Sequence, residues 1–287
     1  MPKSLSKFYN FRTKLWYKFL RHKIRMHVEA HRKVKNPRLT VIFLHGISAT
    51  SNTWTTTIRQ FSRNPELKNV ELISLDLLGF GKSIQSNWLD YDYDDYDKAL
   101  DYTLKHLKVH GPVVLVGHSM GALIAAHYAN SSINSINLAQ LILVSPPILL
   151  PEELAKLPDK VYTKSYSALH QLAQDEPAIN VIANFIQRFS SFDGKYLRTP
   201  AFARSMDQII LNQNNYQTFK KLKTPTLIIH GHFDPLVMYL NLKKVTDENS
   251  TYIKLASVMG HHDISTQKRM KILIALKQVL WNEENRS

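Results

Sequence analysis

Short, nearly continuous apolar runs recur along this chain, and helical periodicity fills the gaps between most of them. The runs are Thr40–Leu44, Val70–Leu75, Val113–Val116, Leu141–Val144, Thr226–Ile229 and Thr251–Leu255. A strand with one wet face alternates apolar and polar residues, whereas a strand apolar throughout is covered on both faces, the habit of parallel sheets. Helical stretches are read at Thr53–Phe61, Tyr96–Leu107, Met120–Ala129 and Ile264–Trp281. Strand and helix in alternation mean an α/β fold, a mostly parallel sheet flanked by helices on both faces. Met26–Val34 alternates through Met26, Val28 and Ala30 and is read as an entry strand.

Residues 148–215 interrupt this rhythm. They contain no convincing strand, and Ala178, Ile182, Phe185 and Phe189 recur at helical spacing. Seven acids balance seven bases there. The stretch reads as a helical insertion between two strands. Its aromatics, Tyr162, Tyr166, Phe185, Phe189, Phe192, Tyr196 and Phe202, are expected mostly to fill the space between insertion and body, with a minority facing the cleft.

At 287 residues the chain is one large domain or two small ones. No apolar run reaches the ~18 residues that would span a bilayer. Cysteine is absent, which excludes disulfides, a thiol nucleophile and thiolate metal sites. A reducing compartment fits, and a cytoplasmic protein is expected. The formal net charge of +14 suggests nucleic acid until it is divided. Residues 1–38 hold twelve Lys or Arg against one acid, Glu29, so the other 249 residues carry only three net charges. The basic character is local.

That local segment reads as a basic amphipathic helix over residues 5–26. Phe8, Phe11, Leu15, Phe19 and Met26 recur at helical spacing, and Lys7, Lys14, Lys18, Arg21 and Arg25 lie largely elsewhere around it. Recurring charges leave no continuous apolar stretch of the secretory kind. Docking on the protein's own body is the first expectation. Peripheral contact of residues 1–24 with an anionic membrane is the second, and nucleic acid is a distant third.

The strongest chemical signal is Gly117-His118-Ser119-Met120-Gly121, directly after one strand and before a helix. A serine on so tight a turn needs small neighbours, and the turn lifts its hydroxyl clear of the sheet at a helix N-terminus. His45-Gly46 ends the first core strand, Asp76-Leu77-Leu78-Gly79-Phe80-Gly81-Lys82-Ser83 follows the next, Asp234 follows Thr226–Ile229, and Gly260-His261-His262-Asp263 follows the last.

With these motifs in this order, the chain from about residue 38 resembles the α/β-hydrolase family, carboxylesterase-like and with a helical cap. The resemblance implies a Ser119–Asp234–His261 triad, in the family's order of serine, acid and histidine. It implies an oxyanion hole from the backbone N–H groups of Ile47 and Met120, and a structural role for the Asp76–Ser83 turn. Two adjacent histidines cannot both face the serine; the residue following the glycine is favoured, which selects His261 over His262. Asp263 is read as the N-cap of the last helix. The implied organisation is an N-terminal helix and entry strand over 1–37, core over 38–147, cap over 148–215 between strands six and seven of the family's count, and core again over 216–287.

The expected activity is hydrolysis of carboxylic esters of small or medium substrates through an acyl-enzyme, with no cofactor and no metal. Carbon–carbon bond hydrolysis of a diketone is the alternative chemistry, and a ligand-binding scaffold with weak turnover is the non-enzymatic one. Other patterns fail on inspection. A phosphate loop would need glycine where Asp76 stands, and a dinucleotide loop would need glycine where Ile84 stands. Asp90, Asp92, Asp94 and Asp101 mimic a calcium loop, but Asp95 occupies its glycine position, so an acidic helix-capping turn is expected. His230, His232, His261 and His262 lack the helix-borne zinc spacing.

Overall fold

The structure is a computed structural model that describes residues 23–154, 193–211 and 214–285. The basic segment read over 5–26 therefore lies almost wholly outside the described residues, as do 155–192 of the expected insertion and the cap aromatics Tyr162, Tyr166, Phe185, Phe189 and Phe192.

The apolar runs become the strands of a single sheet. They are β1 (His27–Arg32), β2 (Leu39–Leu44), β3 (Val70–Asp76), β4 (Pro112–His118), β5 (Asn137–Val144), β6 (Thr226–Gly231) and β7 (Ile253–Val258). Their order across the sheet is β1-β3-β2-β4-β5-β6-β7. The entry strand β1 runs antiparallel to β3, pairing His27 with Asp76, and the remaining five pairings are parallel. β2 and β3 are buried along their whole length, as runs without polar alternation require.

Between the strands lie α1 (Thr55–Ser62), α2 (Tyr93–His106), α3 (Met120–Asn130), α4 (Pro151–Leu154), α5 (Pro200–Ser205), α6 (Asn215–Lys220) and α7 (Tyr239–Glu248), and α8 (Thr266–Glu284) follows the last strand. Successive strand residues point to opposite faces, and this divides the core in two. Val41, Phe43, Val114 and Val116 pack with Phe61 of α1 and with Ile272, Leu276 and Val279 of α8. Ile42, Leu44, Leu115 and Leu143 pack on the other face with Leu100 and Leu104 of α2, Leu123 of α3 and Val245 of α7.

Local chemistry sets the helix ends. The acidic turn does cap a helix: Asp92 accepts the Asp95 N–H at 2.9 Å, and Asp95 Oδ2 accepts the N–H groups of Asp90 and Tyr91. The last helix begins later than expected, because Ser265, not Asp263, is its N-cap. A serine hydroxyl is as good an acceptor there as a carboxylate.

The described parts of 148–215 are helical, and their later portion is built into the main body. Tyr196, Ala201 and Ile209 are buried in the same cluster as α2 and α3. Tyr196 packs edge-on against Phe80 at 5.2 Å, and its hydroxyl accepts the Gly81 N–H at 2.8 Å. Among the described residues, no helix is long and apolar enough to cross a membrane. If the return segment is core, Ile209→Ala should cost about 2–5 kcal/mol in urea denaturation, the usual range for truncating a buried aliphatic side chain. A loss below about 0.5 kcal/mol, typical of surface positions, would show instead that the segment is loosely attached.

Candidate active site

β4 ends at His118, and α3 begins at Met120, so one residue makes the whole turn. That residue, Ser119, has φ 52° and ψ −119°, a conformation that costs a non-glycine residue about 1–3 kcal/mol. Its N–H donates to Val144 O at 2.9 Å, and its carbonyl accepts from Ala122 N at 3.0 Å, so both sides of the turn are tied down. The flanking glycines are fixed by close approach. A Cβ on Gly117 would lie 2.4 Å from Gly121 O and 2.5 Å from Ala122 Cα. A Cβ on Gly121 would lie 2.5 Å from His45 O and 2.6 Å from Leu44 O. Glycine at both positions lets α3 start against the end of β2, with Ser119 at the positive end of the helix.

Asp234 sits in the loop between β6 and α7, with its side chain fully enclosed. Burial pushes its carboxyl up, but the hydrogen bond and charge of His262, with help from Ser145 and the Leu236 N–H, hold it down to about 2. His262 Nδ1 lies 3.1 and 3.0 Å from the two carboxylate oxygens. The expectation of His261 at this place is therefore corrected: the structure brings His262 to Asp234. His261 is on the exposed side, its Nδ1 donating to Phe233 O at 3.0 Å. Its carbonyl turns inward to Lys268 Nζ at 2.6 Å, and the next side chain, His262, fills the interior. One more residue separates the glycine from the inward imidazole than the motif suggested.

The imidazole of His262 stands beside the serine turn, its ring centre 4.7 Å from that of His118. His118 Nε2 donates to the His262 carbonyl at 2.8 Å. A carbonyl only accepts, so His118 carries its proton on Nε2. Burial, followed by the charges of His262 and Lys268, keeps His118 far below the usual histidine range and hence neutral.

Ile47 and Met120, the residues of the expected oxyanion hole, both lie close to the Ser119 turn in sequence or space. Met120 is the first residue of α3, whose N–H has no acceptor within the helix. Ile47 follows Gly46, and the Cβ site of Gly46 is 3.1 Å from Ser119 Cβ. His45 secures this loop. Its Nδ1–H donates to Gly46 O at 2.7 Å, its Nε2 accepts the Leu77 N–H at 2.9 Å, and burial lowers its pKa to about 4. Ser48 adds a second tie, since its hydroxyl donates to Asp193 O at 2.6 Å. Phe202 packs on Ile47 with Leu197 and Met206, an apolar wall beside the site.

The Asp76–Ser83 turn is structural, as expected. Asp76 accepts from the N–H groups of Ser51 at 2.8 Å and Lys82 at 2.9 Å. Among the described residues, His27, Glu29 and Asp76 are the group close enough to share a cation. Glu29 already pairs with Lys82 Nζ at 2.7 Å, and the group lies at the β1 edge of the sheet.

Three neighbours of the site were missed in the sequence: His118 as a clamp, Ser145 and Lys268. Ser145 had a readable sign, since it directly follows β5 at the carboxyl edge of a parallel sheet, where sites gather. Lys268 had another, a lysine in the buried stripe Lys268, Ile272, Leu276, Val279 of the last helix. The Gly121 contact predicts that Gly121→Ala costs about 1–3 kcal/mol in urea denaturation by overpacking. An unchanged midpoint would contradict the close approach of α3 to β2.

The chain is similar to known proteins. The "Probable lysophospholipase BODYGUARD 4" of Arabidopsis thaliana is 31% identical over 114 residues, 40% of this chain and 26% of that protein. The "Putative 2-succinyl-6-hydroxy-2,4-cyclohexadiene-1-carboxylate synthase" of Haemophilus influenzae is 31% identical over 94 residues, 32% of this chain and 34% of that protein. These matches span only about a third or less of the relatives' own length. An esterase from Exiguobacterium antarcticum superposes with a TM-score of 0.64 at 20% identity, covering 89% of this chain and 95% of that one. MenH from S. aureus does so with a TM-score of 0.65 at 22% identity, covering 91% and 99%. The model of the α/β-hydrolase fold family matches residues 40–256, and the chain belongs to that family.

Proposed function

We propose that the chain is a serine hydrolase that cleaves carboxylic esters of small or medium substrates, with Ser119 as nucleophile, His262 as base and Asp234 as its orienting acid. The observation that carries this is the His262 Nδ1 contact with the Asp234 carboxylate at 3.0 and 3.1 Å, next to the strained serine turn. An Nδ1–H committed to a carboxylate leaves Nε2 as the basic nitrogen. Similarity to a probable lysophospholipase and to an esterase supports the ester reading. So do the exposed Phe233, Leu236, Met238 and Met259 on the loops that carry Asp234 and His262, which suit an apolar acyl or alcohol group.

In the proposed reaction, Ser119 Oγ attacks the acyl carbon while His262 Nε2 takes its proton. The carbonyl oxygen becomes negative and is met by the N–H groups of Ile47 and Met120 and by the positive end of α3. His262 returns the proton to the departing alkoxide, which leaves as an alcohol and gives the acyl-enzyme. Water, deprotonated by the same imidazole, then releases the carboxylic acid and restores Ser119. Asp234 stays ionised at every pH above about 2, so the acid limb of kcat/KM reports protonation of the imidazole.

Two measurements test the reading. Fluorophosphonate should label wild-type protein and not Ser119→Ala, and that variant should lose ~10⁴–10⁶ in kcat on p-nitrophenyl esters. Retention of a tenth of the activity would remove Ser119 from the mechanism. Turnover of a ring-cleavage diketone but not of esters would move the chemistry to carbon–carbon bonds, and absence of both labelling and turnover would leave a ligand-binding scaffold. Between the histidines, His262→Ala should lose nearly all activity and His261→Ala much less. The opposite ranking would overturn the assignment of the base.

A further inference from the structure

Lys268 is completely enclosed, on the buried face of α8. A lysine ammonium in the interior is costly unless every proton finds an acceptor and its charge a counter-charge. Its Nζ donates to two groups, both belonging to the site: the His261 carbonyl at 2.6 Å and Ser145 Oγ at 3.1 Å. Ser145 in turn hydrogen-bonds the Asp234 carboxylate. The ammonium is thus joined on one side to the peptide that carries His262 and on the other to the acid that orients it.

We propose that Lys268 is a positioning residue for the His262 imidazole, pinning the His261 carbonyl and, through Ser145, the Asp234 carboxylate. This rests on the assignment of His262 and Asp234 to the proposed reaction and adds the group that holds them in register. Two consecutive carbonyls are clamped: that of His261 by Lys268 Nζ, and that of His262 by His118 Nε2 at 2.8 Å. With both peptides held, the imidazole has little freedom except rotation about its own side-chain bonds, and the Asp234 contact stops that rotation.

The ammonium also sits among the charges of the site. Around His262 and Asp234 stand His118 from the end of β4, His230 from β6 and Lys268 from α8. Asp234 and Asp263 are the counter-charges of Lys268, and burial still lowers its ammonium to about 8. Burial comes first in lowering both His118 and His230; the charges of His262 and Lys268 add to it, and Asp234 pulls both the other way.

The test is Lys268→Met, which keeps the length of the side chain and removes its charge, read in the full chain by the far-downfield proton NMR signal of the His262–Asp234 hydrogen bond. The expected result is a folded protein in which that signal broadens or is lost, because the two partners are no longer held in register. The NMR readout needs no turnover, so it decides the role of Lys268 even if ester hydrolysis fails, and labelling of Ser119 decides the reaction separately. If Lys268→Met does not fold, as judged by circular dichroism, Ser145→Ala takes its place. That variant cuts the Lys268–Ser145–Asp234 link and should weaken the same signal while leaving Lys268 in position. An unchanged signal in folded Lys268→Met, or in Ser145→Ala where that variant is the one that folds, would overturn the proposal.

Discussion

A carboxylate with no water around it is stable only if the protein replaces the lost hydration, and Asp234 is such a group. It receives the His262 ring, a hydrogen bond from Ser145 and the Leu236 N–H at 3.0 Å. Each donor belongs to a different segment: the turn after β7, the end of β5 and the Asp234 loop itself. The carboxylate therefore holds three chain segments together as well as orienting an imidazole. Removing one partner of such an enclosed pair typically costs about 3–5 kcal/mol, because the remaining charge stays buried without compensation. Stability at this site and the proposed chemistry depend on the same contact.

The sheet makes that contact achievable. Ser119, Ser145, Asp234 and His262 all follow the carboxyl ends of parallel strands, β4, β5, β6 and β7, which are neighbours in the sheet. Parallel pairing fixes the register of those ends, as in His118 opposite Val144 and Gly231 opposite Val258. Four loops from distant parts of the sequence thereby meet at one edge, positioned by backbone hydrogen bonds and not by the loops' own rigidity. The serine turn supplies the strain and the buried cation of α8 supplies a tie across the base of the site.

The sheet was legible because uninterrupted apolar runs have few alternatives, and all six runs, with the entry strand, became strands. The turn that carries Ser119 was legible because Gly117 and Gly121 answer a packing demand that few other turns make. The position of Asp234 was legible from its place after a strand. The choice of histidine was not, because two adjacent residues differ only in which one faces inward. That depends on the turn at Gly260 and on Lys268 reaching the His261 carbonyl, a contact between residues seven apart on separate elements. Asp263 was misread as a cap for a related reason, since both Asp263 and Ser265 are good caps and the path of the turn chooses between them. The return segment of 193–211 proved more closely built into the core than its helical pattern alone indicated, through Tyr196 and Ile209.

The central claim is that His262, and not its neighbour, shares a proton with Asp234. An imidazole N–H donated to an enclosed carboxylate is deshielded and protected from solvent, so it gives a far-downfield proton NMR signal at neutral pH. Such a resonance should be present in the wild-type chain, survive His261→Gln and disappear in His262→Gln. A signal that survives the loss of His262 and vanishes with His261 would contradict the account at its root.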